Sequence, residues 1–104
     1  MEQGVHAAAE LTADFCFIVD DNSLESFGIL PDDLLFVRST SDFEDKKLMA
    51  LRIGETVVFR KAWISDDMVV LVPGNMHEES IIRPVLDHDD IRVVGVVTAS
   101  RRSY

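Results

Sequence analysis

Leu48-Met49-Ala50-Leu51-Arg52-Ile53, Gly54-Glu55, Thr56-Val57-Val58-Phe59-Arg60-Lys61-Ala62-Trp63-Ile64, Ser65-Asp66-Asp67, Met68-Val69-Val70-Leu71-Val72: in this one stretch, three apolar runs are parted by two short polar segments. Short runs rich in Val, Ile, Leu and Phe, bounded by Gly, Ser and Asp, read as strands joined by turns rather than as helices. Ser65-Asp66-Asp67 is expected to close a hairpin. Outward from this block the same spacing recurs, predicting further strands over Phe15 to Val19, Leu34 to Arg38, Ser80 to Pro84 and Ile91 to Ala99. Pro31-Asp32-Asp33, Pro73-Gly74-Asn75 and Asp87-His88-Asp89-Asp90 supply the remaining turns. The expectation is a mostly β domain over residues 13–104, preceded by an arm, 1–12, in which His6 to Leu11 is the only segment of helical character. A helix that short is marginal unless it docks.

The 104 residues suffice for one hydrophobic core. With 47% hydrophobic and 28% charged residues the composition is globular rather than disordered. No apolar run reaches the roughly 18 residues needed to span a bilayer, and the first residues lack a basic region followed by an apolar stretch. The cytoplasm is the expected location, with no membrane partner. Cys16, the single cysteine, lies in Phe15-Cys16-Phe17-Ile18-Val19, cannot form an internal disulfide, and is expected to pack as a small hydrophobe. A net charge of −9 disfavours contact with phosphates, so any DNA must be bound through a separate domain.

Ile91-Arg92-Val93-Val94-Gly95-Val96-Val97-Thr98-Ala99 is nearly continuously apolar, the mark of a strand buried on both faces. Two readings are open. It is a central core strand, or it is an edge strand covered by a second subunit, with Ile91, Val93, Val94, Val96 and Val97 at the interface.

Ser23, in Val19-Asp20-Asp21-Asn22-Ser23-Leu24, follows a buried strand at a point where a side chain can project into a cleft. A serine after Asp-Asp-Asn is, by itself, ordinarily a turn or cap residue. His77-Glu78-Glu79 and Asp87-His88-Asp89-Asp90 carry metal-binding residue types, although acidic loops of this kind are usually only solvated, and neither a metal nor a cofactor is expected. Phe59 and Trp63 alternate with Lys61 along one strand, and an aromatic pair on one face is expected in the core.

Taken in order, Asp21-Asn22-Ser23-Leu24, Gly28-Ile29-Leu30-Pro31-Asp32-Asp33-Leu34, Glu55-Thr56-Val57-Val58-Phe59-Arg60, Leu71-Val72-Pro73-Gly74-Asn75 and Val94-Gly95-Val96-Val97 resemble the carboxy-terminal self-cleavage and dimerisation domain of LexA-type and prophage repressors. The resemblance covers about Ala13 to Arg102. It implies the LexA/signal-peptidase-like fold of several coiled β-sheets with a small SH3-like barrel, and a serine nucleophile at Ser23 activated by a buried neutral lysine.

Here the sequence departs from the family pattern. Phe59 stands where that lysine belongs, with Arg60 in register as the arginine that follows it. Lys61 is on the same face but about 6.6 Å further along the strand. Family glycines are replaced by Asp21, Asp32 and Lys46, which implies adjusted turns, and no Ala-Gly or Cys-Gly cleavage pair occurs among the residues before Ser23. The expectation is therefore a self-associating, catalytically inactive domain whose partner is a second copy of itself. The alternatives are an active autopeptidase using Ser23 with Lys61, and a free-standing adaptor that binds a partner repressor in its cleft.

Overall fold

The computed structural model describes residues 13–102; the proposed arm and its helical segment lie outside the described residues. Seven strands form one antiparallel sheet: β1 (Phe15–Ile18), β2 (Leu34–Ser39), β3 (Lys47–Ile53), β4 (Thr56–Ser65), β5 (Met68–Val72), β6 (Ile81–Pro84) and β7 (Ile91–Arg101). The mostly β fold and all seven strands agree with the sequence reading, with ends displaced by at most two residues. No helix among the described residues is long and apolar enough to cross a membrane.

Two hairpins organise the centre. Ile53 pairs with Thr56 across Gly54-Glu55, and Ser65 pairs with Met68 across Asp66-Asp67, confirming the second of these as a hairpin turn. Gly54 (φ +63°) and Asp66 (φ +56°) adopt the left-handed conformation that lets a two-residue turn follow the strand twist.

The same backbone region holds Asp32 (φ +75°) and Lys46 (φ +63°). Both stand where the family has glycine, so these turns have kept the glycine conformation instead of adjusting to their new side chains. Asp tolerates it through local hydrogen bonding; Lys46 bears the Cβ penalty.

The strand order is β1-β2-β7-β3-β4-β5-β6. The final strand thus lies between β2 and β3 in the order, paired to both at Gly95 and Val96, to β3 alone over Ile91–Val93 and to β2 alone from Val97. Its lack of alternation has a specific cause. Facing β3, Ala50 pairs with Gly95 and Leu51 with Val93, leaving Val94 as a bulge. Facing β2, Val37 pairs with Val97 and Phe36 with Ala99, leaving Thr98 as a second one. Each bulge shifts the side-chain parity by one. Ile91, Val93 and Val96 therefore enter one core cluster, with Met49, Leu51, Ala62, Val69 and Leu71, while Val97 packs against another. Ile91, Val93 and Val96 are core residues of a single chain and cannot be the exposed interface positions anticipated above.

The second cluster, on the opposite side of the sheet, consists of Val19, Leu24, Ile29 and Leu35, with Phe17, Leu48 and Phe59 packed against it. Three strands lie between β1, which carries Phe17, and β4, which carries Phe59, in the sheet order. Their rings nonetheless meet edge to face with centroids 5.4 Å apart, so the sheet curls until its amino-terminal edge reaches β4.

Two side chains depart from expectation. Cys16 is exposed rather than packed, on β1, whose one neighbour among the described residues is β2. Trp63 is 40% exposed, the core being supplied by the other face of β4 through Ala62. The Lys61 ammonium lies 4.9 Å from the Trp63 ring centroid.

Candidate functional site

A cleft of about 220 Å³ opens between the end of β1, the loop that follows it and the first half of β4. Ile18, Val19, Leu24, Val57 and Phe59 provide its apolar wall, and Asp20, Asp21, Ser23 and Glu78 its polar rim. β5 pairs with β4 only from Lys61 to Ser65, whereas β3 pairs with it from Thr56 to Ala62. The cleft side of Thr56–Arg60 is consequently a strand edge with no partner strand among the described residues.

Ser23 sits in the turn entering a short 3-10 helix, Glu25–Phe27, which the sequence reading did not foresee. Three contacts hold the turn in place. The Ser23 amide donates to Asp21 Oδ1 at 2.9 Å, the Ser26 amide donates to the Gly74 carbonyl at 2.8 Å, and Asn75 Nδ2 donates to the Ser23 carbonyl at 3.4 Å. Gly74 is required by proximity. A Cβ there would lie 2.5 Å from the Ser23 carbonyl oxygen and 2.7 Å from Leu24 Cα, both main-chain atoms with little room to move.

Behind this loop lies Arg60, 8% exposed. Its Nη1 donates to the Glu79 carbonyl at 2.7 Å and to that of Leu71 at 3.4 Å, and its Nη2 is 3.6 Å from Glu78 Oε1. Glu78 in turn accepts from Asn75 Nδ2 at 2.6 Å. The chain Arg60–Glu78–Asn75–Ser23 ties β4 to the serine loop, a linkage between these residues that the sequence reading did not foresee. The available signal was an arginine in a strand otherwise facing the core at that position.

Ser23 and Phe59 thus border the same cleft, and Lys61 is directed to Trp63 instead. Asp21, at a family glycine position, faces the serine: the Ser23 hydroxyl and then its amide hold the Asp21 carboxyl below its ordinary value. A carboxylate so held is a weaker base than a free one. Because the folded value is depressed, the stabilisation is present at neutral pH and is lost as pH falls through that lowered value. His77, Glu78 and Glu79 serve the Asn75 and Arg60 network. Asp90 accepts a two-nitrogen ion pair from Arg83, 2.8 Å at its shortest, and His88 Nδ1 is 3.0 Å from the Ile91 carbonyl. Among the described residues no group of three or more His, Cys, Asp or Glu is placed to hold a metal ion.

The comparison with known proteins agrees with this geometry. The profile of the Peptidase S24-like family matches residues 4–98. The LexA repressor of Herminiimonas arsenicoxydans is 28% identical over 91 residues, 88% of this chain and 41% of that protein. That of Hahella chejuensis is 33% identical over 70 residues, 67% of this chain and 35% of that protein. The LexA repressor of Glaesserella parasuis is 31% identical over 70 residues, 67% of this chain and 34% of that protein. The chain spans roughly two fifths or less of the length of these curated relatives. With a family match across nearly its whole length, the chain belongs to the Peptidase S24-like family.

Proposed function

We propose that this chain is the self-association domain of a LexA-like transcriptional repressor, of prophage or chromosomal type, in which self-cleavage has been lost. The observation that carries self-association is the second half of β7. β3 pairs with β7 only as far as Val96, whereas β2 pairs with it to Arg101. From Val97 to Ser100 one edge of the strand has backbone groups with no partner strand among the described residues, and two such edges can pair antiparallel about a two-fold axis. The interface proposed here is this free edge, not the core valines. A net charge of −9 leaves DNA contact to another domain.

The test is sedimentation at high micromolar concentration. The unmodified domain is expected to sediment as a dimer or larger. Ser100→Asp, which places like charges on facing edges at an exposed position, is expected to weaken association at least about tenfold while the fold persists. A monomeric unmodified chain would remove the proposal.

Loss of cleavage is supported by Phe59 at the base position, since a phenylalanine accepts no proton, and by Lys61 lying against Trp63. Prolonged incubation near pH 10, where a lysine base loses its proton, is expected to leave a single intact mass. Fragments that vanish in Ser23→Ala would instead establish a peptidase.

A further inference from the structure

Beyond self-association, and independently of it, we infer that Arg52 of β3 and Arg92 of β7 form a binding site for a single phosphate group, free or carried by a small organic molecule. Three observations converge on that ligand.

The first is register. Arg52 and Arg92 stand directly opposite each other in the antiparallel ladder between β3 and β7, so both side chains leave the same face of the sheet, with Cβ atoms about 4.5–5.5 Å apart. Like charges so placed repel each other and weaken the sheet. Both positions are exposed, in a chain with a net charge of −9 that has carboxylates to spare for compensating them.

The second is the lack of that compensation. Arg52 Nε donates to the Gly54 carbonyl at 3.2 Å, which orients the guanidinium without neutralising it. Arg92 makes no side-chain hydrogen bond or ion pair with a described residue. Two acids lie nearby. Asp90 is committed to Arg83 through both carboxylate oxygens, 2.8 Å at the shortest. Asp89 is exposed and pairs with neither arginine among the described residues.

The third is space. A hollow of about 490 Å³ lies between the β3–β4 turn and the start of β7, lined by Arg52, Ile53, Gly54, Asp89, Asp90 and Arg92. Guanidinium forks match the oxygens of a phosphate, which each can hold through two parallel hydrogen bonds. Ile53, half-buried, offers an apolar contact to an organic substituent. A nucleic-acid strand fits less well, because its successive phosphates would have to approach across an acidic surface, whereas one phosphate needs only the arginine pair.

The experiment titrates the full chain, at about pH 7.5 where a phosphate monoester is dianionic, with inorganic phosphate and with phenyl phosphate. Sodium chloride holds the ionic strength constant. Thermal unfolding and the arginine Nε–H signals in nitrogen-15 spectra are followed. Both ligands are expected to raise the melting temperature to a plateau, as ligands of the folded state do, and to move the signals of Arg52 and Arg92. Tighter binding of phenyl phosphate assigns the site to an organic monoester; equal or weaker binding assigns it to free phosphate.

Arg52→Gln and Arg92→Gln should each weaken binding about tenfold, the loss of one charge-assisted contact. With the repulsion removed, neither should melt below the unmodified chain when phosphate is absent. Asp89→Asn should tighten binding severalfold. A rise that never levels off, or one that persists undiminished when both arginines are replaced by glutamine, is the general stabilisation given by phosphate salts and would overturn the inference. Signals moving only at other arginines would overturn it too, as would an Arg92→Gln variant that melts lower without phosphate, since Arg92 would then have a structural partner. Sedimentation of the same samples keeps the outcome distinct from self-association, which rests on the other end of β7.

Discussion

Val93→Asp is expected to unfold the domain, not to separate its subunits. Val93 is 7% exposed and packs within the first core cluster, paired with Leu51 of β3. An aspartate there loses the apolar contacts of valine and buries a carboxylate with no cation beside it. Burial of an unpaired charge, added to the loss of packing, costs more than about 4 kcal/mol, against a total stability of about 5–15 kcal/mol for a domain of this class. The cost should depend on pH. The buried acid's folded value would be raised above its unfolded one, so the penalty is full at neutral pH and is relieved as pH falls through the raised value. Denaturant titration should show the variant largely unfolded at pH 7, with a smaller difference from the unmodified chain near pH 5. A folded, monomeric Val93→Asp at neutral pH would contradict the placement of β7 in the core.

Gly95→Val should be nearly as damaging, for a different reason. Even a Cβ at Gly95 would lie 2.5 Å from the Arg38 carbonyl oxygen and 2.5 Å from Val37 Cγ1. The carbonyl belongs to a paired strand and cannot yield locally. Gly95 pairs with Ser39 on one side and Ala50 on the other, between the two bulges, so any displacement propagates to both neighbours. Overpacking in a core costs about 1–3 kcal/mol, and a valine against main chain is expected at or beyond the upper end. Gly95→Ala should fall lower in the range. Thermal unfolding of the pair would show this order, and equal melting temperatures for both variants and the unmodified chain would refute it.

These two residues illustrate what sequence reveals and what it withholds. The strands were legible because apolar runs and turn residues are local signals, so all seven could be placed. The order of matching segments brought Ser23 and Phe59 to one cleft in advance. Strand order was not, because nothing in Ile91 to Ala99 states which strands will flank it. The run Val93-Val94-Gly95-Val96-Val97 suggested two buried faces, whereas two bulges turn consecutive valines toward two different cores. The structural role of Arg60 was hidden for a related reason. Its carbonyl partners, Leu71 and Glu79, are main-chain groups whose identity leaves no trace in the sequence. Asp32 and Lys46 erred in the other direction. Their departure from glycine suggested a changed backbone, yet both retain a left-handed φ, showing that the surrounding strands impose the turn even on residues poorly suited to it.

The strand order also governs when the molecule can be assembled. β2 joins the rest of the sheet only through β7, and the contact from Leu34 to Arg101 closes a loop of most of the described chain. As the polypeptide leaves the ribosome, the β3–β4–β5 hairpins can form from neighbouring residues. β1 and β2, made earlier, have no place to dock until the last of the seven strands has emerged. Long-range pairing of this kind slows folding and leaves early strands exposed in the interim. The serine loop, lying between β1 and β2, is therefore among the last parts to take shape, and the cleft does not exist on a nascent chain that ends before β7.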